Sequence, residues 1–301
     1  MTIPPEFQQA CLLILVLYLA PILVIRAWTV IFSLMTNKAW SIFVWTGAIG
    51  VPIHEASHLL ACWIFGLKPT NVVFFRPDRS TGTLGYVNFR YRPRSVRANL
   101  GLFVQGIAPL ISGALVVSLC LSHASGKSTA PLFIFDSESN GAGVVLFVIN
   151  ATLNTLTMAS EGILSGFTGA LTVCFAACVS LHAIPSWADI RIGLRGAVAL
   201  LITTLFGIVS IGALSEVTGV GTSTSLTSKL QPLIGEVGSW LTSSLSFALY
   251  GTVSVMTLTI VTTLAAYAVS VLLKAVVNSK PWSTKRARKQ SSDDPPDLRQ
   301  H

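Results

Sequence analysis

From Thr46 to Leu67 the chain reads TGAIGVPIHEASHLLACWIFGL, twenty-two residues with one formal charge, Glu55. A helix needs about 20 predominantly apolar residues to cross the hydrocarbon core of a bilayer. Runs of this kind recur at about 10–35, 42–66, 98–121, 160–184, 195–216 and 244–276. Only 11% of the 301 residues are charged, against about a quarter in soluble domains. Too little polar surface is left to solvate a globule. The expected fold is therefore an all-α polytopic membrane protein with about six transmembrane helices. The apolar segment 144–158, VVLFVINATLNTLTM, is shorter. It reads as a re-entrant or interfacial helix, as a further span, or as an extension of the fourth.

Basic residues orient the spans. Lys68, Arg76, Arg79, Arg90, Arg92, Arg94 and Arg97 lie between the second and third runs, Arg191 and Arg195 after the fourth, and Lys280, Lys285, Arg286, Arg288 and Lys289 after the last. The alternate links 122–159 and 217–243 hold only Lys127 and Lys229. Cytoplasmic loops carry the excess of Lys and Arg. Both termini are thus expected in the cytoplasm, in a multi-pass protein of a bacterial inner (cell) membrane. The first run has no basic segment before it and reads as an uncleaved span. Residues 1–278 form the expected membrane domain, and 279–301 a disordered cytoplasmic tail. The net charge of +8 follows from this topology and from contact with anionic lipid, with no nucleic-acid partner required. The five cysteines lie in or beside the runs, where small apolar packing is the default role. Cys174, Cys178 and His182 share a helical face, but eight residues of helix rise about 12 Å, too far for one ion to join all three.

Within the opening run, His54-Glu55-x-x-His58 places two imidazoles one helical turn apart on one face. This is the spacing of a zinc site in which the glutamate serves as general base. Zinc lowers the pKa of a bound water to about 7. Ionisable groups at mid-span are costly, so they line cavities and mark function. Three within five residues of a Leu-, Ala- and Trp-rich helix point to a metal site.

A catalytic zinc takes three protein ligands and keeps an open position. Most remaining carboxylates fall outside the runs or at their outer ends. Asp189 does not. It lies in LHAIPSWADIRIG (181–193), where Pro185 breaks the helix. An alternative role for Asp189 is a cap at the start of the next helix. His182 is the competing third ligand. Gln105 is a candidate donor beside the site.

These residues resemble the site-2 protease family of intramembrane zinc metalloproteases, in which one span carries HExxH and a later span supplies an aspartate. His54, Glu55 and His58 match the first element, and Asp189 after Pro185 matches the second. GIAPLISG (106–113) is similar to the family's Gly-Pro-x-x-Asn helix, with Ser112 where the asparagine would stand. Ile190 follows Asp189 where the family has glycine. The resemblance spans roughly 40–195. It implies zinc as cofactor, held by His54, His58 and Asp189, with Glu55 moving the proton in hydrolysis of a membrane protein substrate.

The link after the second run supports a peptide-binding role. NVVFFRPDRSTGTLGYVNFRYRP (71–93) carries two strand-like runs around a Pro/Asp/Gly-rich turn, and Tyr86 to Tyr91 alternate with period 2. A hairpin is expected over about 70–92. Its open edge could accept an extended peptide by strand addition. The alternative to a protease is a non-proteolytic membrane protein, either a transporter or a metal-binding scaffold.

Overall fold

The computed structural model describes residues 37–128, 141–199, 202 and 224–278. They are mostly helical, with one small antiparallel sheet. In chain order come α1 (Asn37–Phe65), β1 (Lys68–Val73), β2 (Tyr86–Arg90), α2 (Val96–Gln105), α3 (Ala108–Ser125), α4 (Gly141–Leu164) and α5 (Phe167–Ala183). After these come α6 (Trp187–Ala199) and α7 (Thr224–Asn278). Four helices are long and apolar enough to cross a membrane, over Ser41–Phe65, Ala108–Ser125, Gly143–Leu164 and Ser246–Val269. The α5–α6 pair, bent by 62°, makes a fifth if it counts as one span. The runs at 10–35 and most of 195–216, and the tail 279–301, lie outside the described residues.

Two boundaries differ from the sequence expectation, each for a local reason, and one open reading is resolved. The run 98–121 is two helices, because the chain breaks between Gln105 and Ala108. Gly106 permits the break to press against α6: a Cβ there would stand 2.6 Å from the Gly193 Cα. The run 160–184 is also divided. Residues 160–164 close α4, and Gly166, at φ +118°, turns the chain into α5. Segment 144–158 is the body of α4 rather than a re-entrant piece. Its threonines satisfy their hydroxyls on their own helix, Thr152 to Val148 O (2.8 Å), Thr155 to Ala151 O (2.7 Å) and Thr157 to Leu153 O (2.9 Å). Such back-bonding lets polar residues remain in an apolar helix.

The core forms where α3 packs against α1, α4 and α5. Leu110, Val117 and Leu121 of α3 meet Met158 of α4 and Val173, Ala176 and Val179 of α5, all buried. Val255 and Leu258 of α7 close the same cluster. Hydroxyl and amide pairs tie α4 to α7, with Thr155 Oγ1 2.9 Å from Ser254 Oγ and Asn154 donating to the Tyr250 hydroxyl (2.5 Å). Residues Met1–Ile260 form one compact unit. A second, Val261–His301, is described only over its helical residues to Asn278.

The hairpin forms as expected, beginning at Lys68. Lys68 pairs with Arg90, Val72 with Val87 and Val73 with Tyr86, with an irregularity between Pro69 and Asn71. In its turn the Asp78 carboxylate accepts from the Ser80 hydroxyl (2.7 Å) and the Ser80 N–H (2.8 Å). These bonds hold the Asp78 carboxyl below the usual range. Leu84 is buried. It seats the hairpin on α1, since a Cβ on Gly47 would come within 2.9 Å of its Cδ1.

α1 also approaches α5 closely. A Cβ on Gly50 would lie 2.7 Å from the Cys178 carbonyl oxygen and 2.8 Å from the His182 Cβ. The obstacle is backbone, which cannot yield cheaply. Gly50→Ala is therefore expected to destabilise the fold by about 1–3 kcal/mol. Earlier thermal unfolding in detergent would register it, and unchanged unfolding would contradict the α1–α5 contact.

Candidate metal centre

His54, Glu55 and His58 lie midway along α1, one turn after Gly50. The two imidazoles stand edge to face with centroids 5.0 Å apart, as i and i+4 on one helical face require. Glu55 and His58 are buried, and His54 keeps 13% of its side-chain surface exposed.

Each ring has one nitrogen engaged by an oxygen from another helix. His54 Nδ1 lies 2.6 Å from the His182 carbonyl oxygen. His58 Nδ1 lies 2.6 Å from Gln105 Oε1. The Gln105 amide is oriented by its other end, where Nε2 donates to His58 O (2.8 Å) and Cys62 Sγ (3.0 Å). Both oxygens can only accept, so both Nδ1 atoms carry hydrogen. Each Nε2 then presents a lone pair.

Asp189 meets those lone pairs. His58 Nε2 is 3.2 Å from Asp189 Oδ1, and His54 Nε2 is 3.6 Å from Oδ2. The carboxylate is held from behind. The Ser186 N–H donates to Asp189 Oδ2 (2.7 Å), and the Asp189 N–H donates back to Ser186 Oγ (3.2 Å). This reciprocal pair is a capping box at the start of α6. Asp189 is therefore both the cap and the third member of the group. The break that makes the cap necessary, Ile184-Pro185-Ser186, is also what aims the carboxylate at α1.

Ligand atoms of His54, His58 and Asp189 all lie within 4.8 Å of one another, and this is the one such group of three among the described residues. The group could hold a metal ion. Two lone pairs and a carboxylate facing each other at this range favour a positive charge between them. Two imidazoles and one carboxylate oxygen, with both rings oriented by a second hydrogen bond, are a donor set that divalent metal ions accept.

His182 takes a different place. Its ring Nε2 is 3.0 Å from Thr46 Oγ1, and its ring lies 4.5 Å from that of Phe43. It reaches the group through its backbone carbonyl. Sequence reading did not single out Ser186, Thr46 or Cys62. The Ser186-x-x-Asp189 spacing was a legible signal for the first. The other two depend on which helices pack together.

The group opens into a pocket of about 550 Å³. His54, Glu55, His58, Gln105 and Asp189 line one side, and residues 82–89 of the hairpin line another. Pro185 and Ser186 border it at the helix break. Comparison with known protein families, with curated proteins and with solved structures finds no match to this chain.

Removing the partner that orients a metal-binding histidine lowers metal affinity by about 10–100-fold. Gln105→Leu is expected to show a loss of that size in competition with a chelating dye. Gln105→Glu, which keeps an acceptor for His58 Nδ1, is expected to lose less. Equal losses in the two variants would contradict the orienting role.

Proposed function

We propose that the chain is a membrane-embedded, zinc-dependent peptidase of the site-2 protease kind, cleaving membrane-associated polypeptides within or near the bilayer. The observation that carries this reading is the meeting of two Nε2 lone pairs with the capped Asp189 carboxylate, with Glu55 lining the same pocket. The four long apolar helices support the membrane setting.

His54, His58 and Asp189 would hold the ion. A zinc ion so held supplies a water molecule that ionises near neutral pH. Glu55 takes a proton at its carboxylate and returns it to the leaving amine. The capping box keeps Asp189 in place through this transfer, because its Oδ2 is bonded to the backbone of its own helix. Gln105 and the His182 carbonyl keep both imidazoles in one tautomer.

The hairpin supplies the substrate's geometry. A peptide bond inside a helix is shielded from attack, so a substrate must be extended at the site. β2 pairs only with β1, and no other strand is found among the described residues. Its remaining edge can bind an extended segment by adding a strand, beside the pocket that Glu55 lines.

Glu55→Gln separates this reading from a transporter or a metal scaffold. The variant is expected to retain zinc while cleavage of a co-expressed membrane reporter falls by about 10²–10⁴-fold. Cleavage at the wild-type rate would overturn the proposal. Asp189→Ala and His58→Ala are each expected to lose the metal, read as zinc content of purified protein.

A further inference from the structure

Between Leu67 and Arg97 the chain carries seven cations and a single acid, Asp78. That acid is committed to Ser80 within its own turn. One cation is also committed: Arg97 donates to the Ile64 carbonyl (2.7 Å), closing the C-terminus of α1. Lys68, Arg76, Arg79, Arg90, Arg92 and Arg94 are exposed, and no ion pair engages them among the described residues. The register sets Lys68 directly opposite Arg90. Like charges directly opposite on a sheet oppose its formation. The hairpin thus folds with an uncompensated positive end.

This charge lies in line with the edge that borders the pocket. Residues 82–89 line the pocket; β2 ends at Arg90, and Arg92 follows two residues beyond it. Strand residues advance about 3.3 Å each, and alternate side chains share a face. A polypeptide paired with the β2 edge would therefore leave the pocket alongside Arg90 and continue towards Arg92, with Arg94 in the turn beyond. Its side chains would have the same two-residue repeat.

We infer that the substrate of this site is an extended polypeptide with an acidic segment flanking the part that enters the pocket, and that Arg90, Arg92 and Lys68 select for that segment. The inference rests on the peptidase reading for the chemistry, but binding alone can test it. The strand edge favours a polypeptide over a lipid headgroup. It offers backbone hydrogen-bonding groups in register, which a headgroup does not need.

The test uses the full chain as Glu55→Gln in nanodiscs of zwitterionic lipid. The probes are three fluorescent peptides that share a valine/threonine-alternating half. Their other half is glutamate-rich, uncharged or lysine-rich. The glutamate-rich peptide is expected to bind tightest, with affinity falling as salt rises. Arg90→Glu with Arg92→Glu should weaken it by about five- to tenfold, in keeping with a few exposed charge pairs. The double variant should leave the uncharged peptide and the zinc content unchanged. Equal binding of the three peptides would overturn the inference. So would loss of the charge preference in nanodiscs of anionic lipid together with direct retention of the hairpin by that lipid, since the cations would then serve the membrane surface. If the acidic preference holds but no peptide is cleaved by the unmodified chain, the peptidase reading fails and the docking surface stands.

Discussion

A neutral imidazole buried among apolar helices must dispose of one hydrogen and one lone pair, and the arrangement of this bundle follows from how two of them do so. His54 gives its Nδ1 hydrogen to the carbonyl of His182 on α5, and His58 gives its own to Gln105 at the end of α2. Three helices are thereby held at fixed depth relative to one another. The two freed lone pairs converge on a carboxylate from a fourth, α6. Two close approaches in the neighbourhood serve this convergence. Gly50 lets α1 reach the carbonyl side of α5, and Gly106 lets the α2–α3 break lie against α6. Small residues at such contacts are the usual means of bringing membrane helices close.

Asp189 shows why a helix break belongs at the site. In a continuous helix a carboxylate could not face α1 and also accept from its own backbone. Pro185 ends α5, the chain bends by 62°, and the first turn of α6 needs an acceptor for its free N–H groups. Ser186 and Asp189 meet that need reciprocally, and the carboxylate's other oxygen is left pointing at His58. The cap and a place beside His54 and His58, which looked like alternatives, are compatible in one side chain.

Much of this was legible in the sequence. His54, Glu55 and His58 were visible because ionisable residues stand out in a charge-poor run and their spacing is helical. The hairpin was visible in the alternation of Tyr86 to Tyr91. The helix boundaries were not, because hydropathy does not register a break when both sides are apolar. Gln105-Gly106-Ile107 divides one run, and Gly166 divides another, without lowering the hydrophobicity of either. Segment 144–158 was ambiguous for the opposite reason. Its threonines and Asn154 lower hydropathy, yet the threonine hydroxyls are satisfied on α4 itself and Thr155 and Asn154 meet Ser254 and Tyr250 of α7. The contribution of His182 was hidden because it acts through its backbone carbonyl, which any residue possesses.

X-ray absorption at the zinc edge of the purified, zinc-loaded protein tests the central claim most directly. The account predicts two imidazole nitrogens with the remaining ligands oxygen, at about 2.0 Å. A third imidazole, a sulfur at about 2.3 Å, or the absence of bound zinc would contradict it.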